Sequence, residues 1–455
     1  MNETYIHQIT KHFYELPFEN LRAETVHQVR RSLLDYLGCT ISSVKLQCAD
    51  GLVKTFLSLG AAGNSRPWGY QGSISAAAAG AANAGRASAI ELDDTSGRLA
   101  NASVHPGVYV WTAAIEAYKE HPCEFETLSK AVIFGYDICI RFGMLCSESV
   151  RTLGLHGPGL CGSFGATAAA AMIMGLSQEE TENAICIAGT LLPVSPFVSF
   201  TEGSTAKDLY GAWGVYLAFT AIASAQNGLL GPVRLLEGDK GLNRIFDLKR
   251  GMDAPMGSPY WIDDISFKEY SACASVHPAL NALIALMQEE GLESDKVEKI
   301  TVETYPYSYA LSIGSETCGL SPVSARVSLP FCVAFAAHEG KLTPDAFTEE
   351  NLHSGEYLSF MEKVEVLNHE EYGEGNTGVR GSIVTITMKD GSVYSREKIR
   401  ARWSAGVSDH ELREKFRAVT AGALSGKGLA QMENDTMTLD GTHKFDEILR
   451  LLGKL

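Results

Sequence analysis

The sequence predicts a mainly α protein with a smaller α+β part: a large all-helical domain formed by both chain ends (residues 1–266 and 404–455) and an α+β lid domain inserted between them (267–403). Three observations carry this expectation. Apolar residues recur at helical spacing through most of the first two thirds of the chain. Near residue 295 the spacing changes to two, and from about Asp409 the helical spacing returns.

Within the first part, Glu24–Leu37 places Val26, Val29, Leu33, Leu34 and Leu37 on one stripe, leaves Arg31 and Asp35 off it, and meets a stop at Gly38. Ser75–Ala89 and Gly162–Gly175 are rich in Ala and Gly, which lets helix backbones approach closely and predicts buried helices. Further helices are expected at Val108–Tyr118, Phe125–Phe142, Gln178–Thr190, Lys207–Gln226 and Ala279–Glu289. Period-two alternation marks strands at Lys296–Tyr307, Glu362–Leu367 and Gly381–Lys389, and Asp390-Gly391 is a hairpin signal into Ser392–Ile399. Between them Phe331–Glu339 and Pro344–Leu352 read as helices, and Ser408 is the expected cap of a last helix over Glu411–Gly422.

Composition narrows the function. The 455 residues hold 38 Lys and Arg against 54 Asp and Glu, a net charge of −16. Such a chain repels phosphate backbones and anionic membranes, so neither nucleic acid nor a membrane is an expected partner. An anionic small-molecule substrate would therefore need a local concentration of cations. The ten cysteines include no Cys-x-x-Cys pair, and Cys139, Cys186 and Cys332 sit in apolar runs as core filling. With neither zinc-ribbon spacing nor His-Glu-x-x-His, no metal is expected. The first residues lack the basic start and apolar stretch of a secretory leader. Ala166–Leu176 is too short to span a bilayer, and Asn183–Phe200 is interrupted by Pro193 and Pro196. The expected location is cytoplasmic.

Four segments place polar residues where a core pattern would not want them. Glu91-Leu92-Asp93-Asp94-Thr95 precedes His105-Pro106-Gly107; three carboxylates in four positions are either a solvated loop or a device that orients a histidine. Gly157, Gly159 and Gly162 after His156 satisfy G-x-G-x-x-G, but no strand precedes them, Pro158 occupies the turn and no βαβ unit follows. No dinucleotide, and no other cofactor, is expected. In Ser204-Thr205-Ala206-Lys207 a lysine stands against the positive end of a helix, which argues for an anion between them. The Ser-x-x-Lys match to serine acylases is weak, because neither Ser-Asp-Asn nor Lys-Thr-Gly occurs. Cys273-Ala274-Ser275-Val276-His277-Pro278 lies at the expected junction of the two domains, a favoured place for a ligand.

Taken in order, these segments resemble the MmgE/PrpD family. The acid–acid–Thr loop with its His-Pro-Gly, Gly203-Ser204-Thr205-Ala206-Lys207, and Cys273 to Pro278 carry the likeness. Ala325-Arg326-Val327-Ser328-Leu329-Pro330-Phe331 and Glu411-Leu412 with Glu414-Lys415-Phe416-Arg417 extend it across the chain. The resemblance implies a homodimer with a metal-free site between a helical domain and a lid, acting on a short di- or tricarboxylic acid. It also implies a lyase, either a dehydratase or a decarboxylase, with an epimerase of a related dicarboxylate as the alternative. Carried over by residue, it places catalytic roles on His105, Lys207, His277 and Asp94. One of His105 and Lys207 would exchange a carbon-bound proton, His277 would serve as lid-side acid or carboxylate ligand, and Asp94 would orient His105. Substrate contacts fall on Glu91, Thr95, His156, Tyr210 and Arg326. Three features depart from the family pattern: Glu91 stands where an aspartate is usual, Tyr210 where a histidine is common, and the stretch from Thr95 to His105 is longer.

Overall fold

The computed structural model describes residues 4–96, 102–248, 256–316, 320–373 and 379–455; the lengthened Thr95–His105 stretch thus lies partly outside the described residues. Among the described residues, eleven helices precede residue 250: α1 Tyr5–Glu15, α2 Ala23–Lys45, α3 Asp50–Leu59, α4 Ala76–Ser88, α5 Pro106–Glu120, α6 Phe125–Thr152, α7 Gly157–Ile173, α8 Gln178–Thr190, α9 Val198–Thr201, α10 Leu209–Gln226 and α11 Leu242–Phe246. The middle of the chain gives α12 His277–Glu290, β1 Val297–Thr304, α13 Pro306–Glu316, α14 Leu329–Glu339, α15 Glu349–Leu352, α16 Gly355–Met361, β2 Val364–Asn368, β3 Ser382–Met388 and β4 Val393–Lys398. Three more helices follow: α17 Asp409–Thr420, α18 Gly426–Met437 and α19 Thr442–Leu452. The fold is mainly α with a small α+β part.

Helix α7 is buried along its whole length, against α5, α6 and α10. Its composition explains how. A Cβ on Gly165 would lie 2.6 Å from the carbonyl oxygen of Gly135 on α6, and one on Gly162 would lie 2.3 Å from the Tyr109 ring on α5. The apparent G-x-G-x-x-G is therefore the first turn of a helix, capped by His156 and tolerant of Pro158 because the first N–H groups lack intrahelical partners. Helix α6 runs ten residues past its expected end at Phe142, because Leu145, Cys146 and Val150 keep the buried stripe going and Gly143 passes close to Val104. Reciprocal Ser–Glu caps open α8, where Ser177 pairs with Glu180, and α17, where Ser408 pairs with Glu411.

The four strands form one mixed sheet in the order β2-β1-β3-β4, with β1 and β2 parallel and the other pairs antiparallel. Gly391, at φ +87°, turns β3 into β4. β1 stops at Thr304 rather than Tyr307, since Pro306 has no N–H for a ladder and instead begins α13. The expected helix at Pro344–Leu352 is two short pieces, a 3-10 turn at Pro344–Phe347 and α15, divided at Thr348, whose hydroxyl accepts from the Asn351 N–H. Cys139, Cys186 and Cys332 are buried free thiols.

Two large, separate hydrophobic cores result. One joins α1, α2 and α4–α8 to α17–α19 and reaches Phe267 and Trp403; the other runs from Tyr270 to Met388 around α12, α14 and the sheet. Short polar ties cross the seam between them. Ser321 Oγ donates to Gly203 O at 2.8 Å, and Ser271 Oγ donates to Ile90 O. On the first-core side, Thr95 and Ser266 exchange backbone bonds of 2.9 Å. Among the described residues no helix is long and apolar enough to cross a membrane.

Candidate functional site

The acidic loop after α4 turns inward at Glu91, which takes φ +52°, a left-handed conformation costly for a side chain of this size. The turn buries Glu91, Asp93 and Asp94 together. Lys415 of α17 anchors the loop by donating to Leu92 O at 2.9 Å while pairing with Asp35 at 2.5 Å. Asp94 faces away from the seam. Its Oδ1 accepts from Gly107 N at 2.8 Å and its Oδ2 from Tyr136 OH at 2.6 Å. Burial, reinforced by the charge of Asp35, pushes its pKa up to about 7.

Glu91 and Asp93 meet two buried lysines. Lys207 donates to Glu91 Oε1; Lys268 donates to Oε2 at 2.9 Å and lies 3.5 Å from Asp93 Oδ1. The lysines are only 3% and 2% exposed. Burial alone would neutralise such groups. Here Glu91 and Asp93 outweigh burial and hold Lys268 above the ordinary lysine range, while Lys207 and Lys268 hold Glu91 well below the usual carboxylate range against its own burial. The anion that the position of Lys207 called for is thus supplied by the protein itself. Its ammonium also sits 4.9 Å from the Phe200 ring.

The histidines bordering this cluster are fixed in different tautomers. His105 Nδ1 donates to the backbone carbonyl of Asp94 at 2.7 Å, which leaves Nε2 with its lone pair. His156 Nδ1 accepts from Gly159 N at 3.3 Å, which places its proton on Nε2. Burial, with the charge of Lys207, lowers His156 to about 3; burial, with the charge of Lys268, lowers His105. Both rings are therefore neutral at pH 7. His156 packs among Phe197, Phe200 and Tyr210.

The orientation of His105 by Asp94 runs through the Asp94 backbone, not its carboxylate; the nearest carboxylate is Asp93, with Oδ2 4.0 Å from Nδ1. Thr95 turns its hydroxyl to Val104 O at 3.2 Å, not toward the cluster. Tyr210 directs its hydroxyl to Pro196 O and Ser199 Oγ, at 2.8 and 3.0 Å. His277 opens α12 with its Nε2–H held by Ala272 O at 3.2 Å, and burial beside Lys268 lowers it to about 3. The Arg326 guanidinium lies 4.3 Å from the Phe347 ring and donates to Pro322 O, yet its buried Nε has no hydrogen-bond partner. Glu91, Asp93, His105, His156, Lys207 and Lys268 are brought together, with His277 and Arg326 bordering them from the second core.

Lys268 is the residue that sequence reasoning missed. Next to Glu269 it reads as half of an ordinary surface pair; the Thr95–Ser266 bridge and the Ser271–Ile90 hydrogen bond flank it in the fold. Asp208, directly after Lys207, is also buried; its pKa is raised to about 6 and its Oδ1 is unpaired. Among the described residues no group of three or more His, Cys, Asp or Glu is arranged to hold a metal ion. Two surface cavities lie elsewhere, one of about 540 Å³ lined by Arg22, His27 and Arg31, and one of about 560 Å³ lined by Lys45, Lys54 and Arg86.

Residues 7–254 match the MmgE/PrpD N-terminal domain and residues 270–437 the MmgE/PrpD C-terminal domain. The chain is 21% identical to a cis-aconitate decarboxylase-like protein of Aspergillus oryzae, over 96% of this chain and 95% of that protein. It is 24% identical to the cis-aconitate decarboxylases of Mus musculus and Homo sapiens. Those alignments span 72% and 74% of this chain, and 68% and 71% of the relatives.

Proposed function

Since the chain belongs to the MmgE/PrpD family, we propose that it is a metal-independent lyase acting beside a carboxylate of a short di- or tricarboxylic acid, as a decarboxylase or dehydratase. One observation carries the reading: Lys207, and Lys268 on the segment that joins the two cores, share the Glu91 carboxylate next to a neutral His105 whose Nε2 is unprotonated.

Reactions beside a carboxylate need a grip on the acid, a base or acid over the neighbouring carbon, and donors for the charge that develops on the enolate-like oxygens. Each ammonium carries three N–H donors and Glu91 engages one from each, so the others can hold a substrate carboxylate. His105 Nε2 takes or returns the carbon-bound proton, with its ring oriented by Asp94 O. His156 Nε2–H donates to a carboxylate oxygen. His277 braces the segment bearing Lys268 through Ala272 O, a positioning role. In decarboxylation the departing carbon dioxide leaves its electron pair on the carbon, which takes a proton from the Lys207 ammonium, and the amine regains that proton from water. In dehydration His105 Nε2 removes the carbon-bound proton and the hydroxyl leaves as water with a proton from the Lys207 ammonium. Metal independence fits a cluster whose carboxylates are already neutralised by lysines. The cis-aconitate decarboxylase relatives favour decarboxylation.

The test is NMR of the purified protein in deuterated water with citrate-, aconitate- and succinate-like acids, with and without a chelator. Loss of carbon dioxide or water, unaffected by the chelator, is expected. Deuterium entry without net conversion would make the enzyme an epimerase instead, and no change in any acid would end the reading.

The same reading includes a homodimer. Exposed apolar side chains concentrate between residues 191 and 233, among them Val194 (78% exposed), Leu230 (87%), Val233 (73%) and Trp213 (44%), a density suited to a subunit contact. Light scattering should give twice the chain mass, and Leu230→Glu with Trp213→Glu should give the monomer.

A further inference from the structure

Resting on the carboxylate reading, we propose that Glu91 is a specificity filter: its carboxylate occupies the place between Lys207 and Lys268 that a third substrate carboxylate would take, and so restricts the site to dicarboxylic acids. The local charges support this. Lys207 and Lys268 contribute two positive charges, and Glu91 and Asp93 two negative ones, all buried. The histidines add none, because His156 and His277 are neutral down to a pH of about 3 and His105 is shifted the same way. Beyond this balanced set, Arg326 from the second core keeps its buried Nε unpaired, and His156 offers one Nε2–H. Arg326 adds one positive charge and Asp208, buried beside Lys207 with a pKa of about 6, adds one negative charge at pH 7, so no net positive charge is left over. Substrate carboxylates are then held by those two donors and the spare lysine N–H groups alone, and a tricarboxylate buries one more uncompensated charge than a dicarboxylate, which is costly.

Side-chain length is part of the argument. Glu91 reaches Lys207 with one oxygen and Lys268 with the other, and its backbone accepts the left-handed φ of +52° that aims it there. An aspartate is one methylene shorter, so from the same Cα its carboxylate would stop short of the position in which Glu91 meets both ammonium groups. The departure at position 91 thus alters what the lysines can still bind.

The experiment compares glutarate with tricarballylate, which is glutarate bearing a third carboxylate at its central carbon. Calorimetric titration at pH 7 would use the full-length protein and its Glu91→Gln and Glu91→Asp variants, with folding checked by circular dichroism. For the wild type, glutarate should bind at least about tenfold tighter than tricarballylate, a difference of about 1.4 kcal/mol. Glu91→Gln should reverse that ratio by removing the competing charge. Glu91→Asp keeps the charge, remains informative should Glu91→Gln not fold, and should move the ratio in the same direction by a smaller factor. Tight wild-type binding of tricarballylate, or an unchanged ratio in the folded variants, overturns the filter while leaving the carboxylate reading standing. Failure of the wild type to bind either acid overturns the reading and the filter together.

Discussion

Asp94→Asn separates two roles that the linear sequence merges. The Asp94 carboxylate is fully enclosed, accepting from Gly107 N at 2.8 Å and Tyr136 OH at 2.6 Å, and its pKa stands at about 7 against an ordinary 3.8. The unfolded chain releases this proton near pH 3.8, whereas the folded one keeps it to about pH 7. Between those values the unfolded state binds fewer protons, so stability falls as pH rises and levels off above pH 7. At about 1.4 kcal/mol per pH unit, the loss attributable to Asp94 is about 4 kcal/mol in all and about 3 kcal/mol between pH 5 and 8. Asparagine is nearly isosteric, can still accept from Gly107 N, and does not titrate. Denaturant unfolding of both proteins from pH 5 to 8 should therefore show the Asp94→Asn variant gaining about 3 kcal/mol on the wild type over that range. Because His105 is oriented by the Asp94 backbone carbonyl, turnover by the same variant should stay within about tenfold of wild type, short of the roughly 10²–10⁴ expected for loss of a proton-transfer group. A pH-independent stability difference, or a hundredfold loss of activity in the folded variant, would refute this reasoning.

The same cluster sets four further outcomes. Lys268→Met leaves Glu91 and Asp93 short of a counter-charge in the interior and should cost about 3–5 kcal/mol in urea unfolding, whereas Lys268→Met with Glu91→Gln should recover part of it; equal losses would deny their coupling. His105→Gln should lower kcat/KM by about 10²–10⁴ with the fold intact. Where His105 acts as the neutral base, as in dehydration, the acid limb of kcat/KM in the wild type should fall below pH 6.5, since its pKa is lowered; a limb at or above that pH would assign it to another group. His156 is held neutral to about pH 3, so the unfolded state takes up a proton that the folded one refuses. Stability should thus decline by about 2 kcal/mol from pH 7 to pH 5, and His156→Gln should abolish that part of the decline in the same unfolding assay.

Much of the architecture was legible because its causes are local. The apolar stripe of α2, the serine cap of α17 and the Asp390-Gly391 turn are each specified by neighbours in sequence. Element ends were less so where tertiary contact decides them, as at Gly143 in α6, or where one residue forbids continuation, as Pro306 does to β1. Helix α1 carries Ile6, Ile9 and Phe13 on a buried face, yet its interleaved charges hid it. At the candidate site the histidines, Glu91 and Lys207 stood out as polar residues in unusual settings. Lys268 did not, because the carboxylates it meets, Glu91 and Asp93, are remote in sequence, 177 positions away in the case of Glu91. Nor could sequence reveal which atom of Asp94 meets His105, since carbonyl and carboxylate belong to the same residue and differ only in how the loop turns at Glu91.

A crystal structure with a bound dicarboxylate bears most directly on the claim that this buried cluster is where the chemistry occurs. A carboxylate is expected within hydrogen-bond reach of Lys207 or Lys268, with the adjoining carbon under His105 Nε2. A dicarboxylate lodged only in the surface cavity beside Arg22 and Arg31, or in the one beside Lys45 and Lys54, with the Lys207–Glu91–Lys268 contacts unchanged, would contradict it.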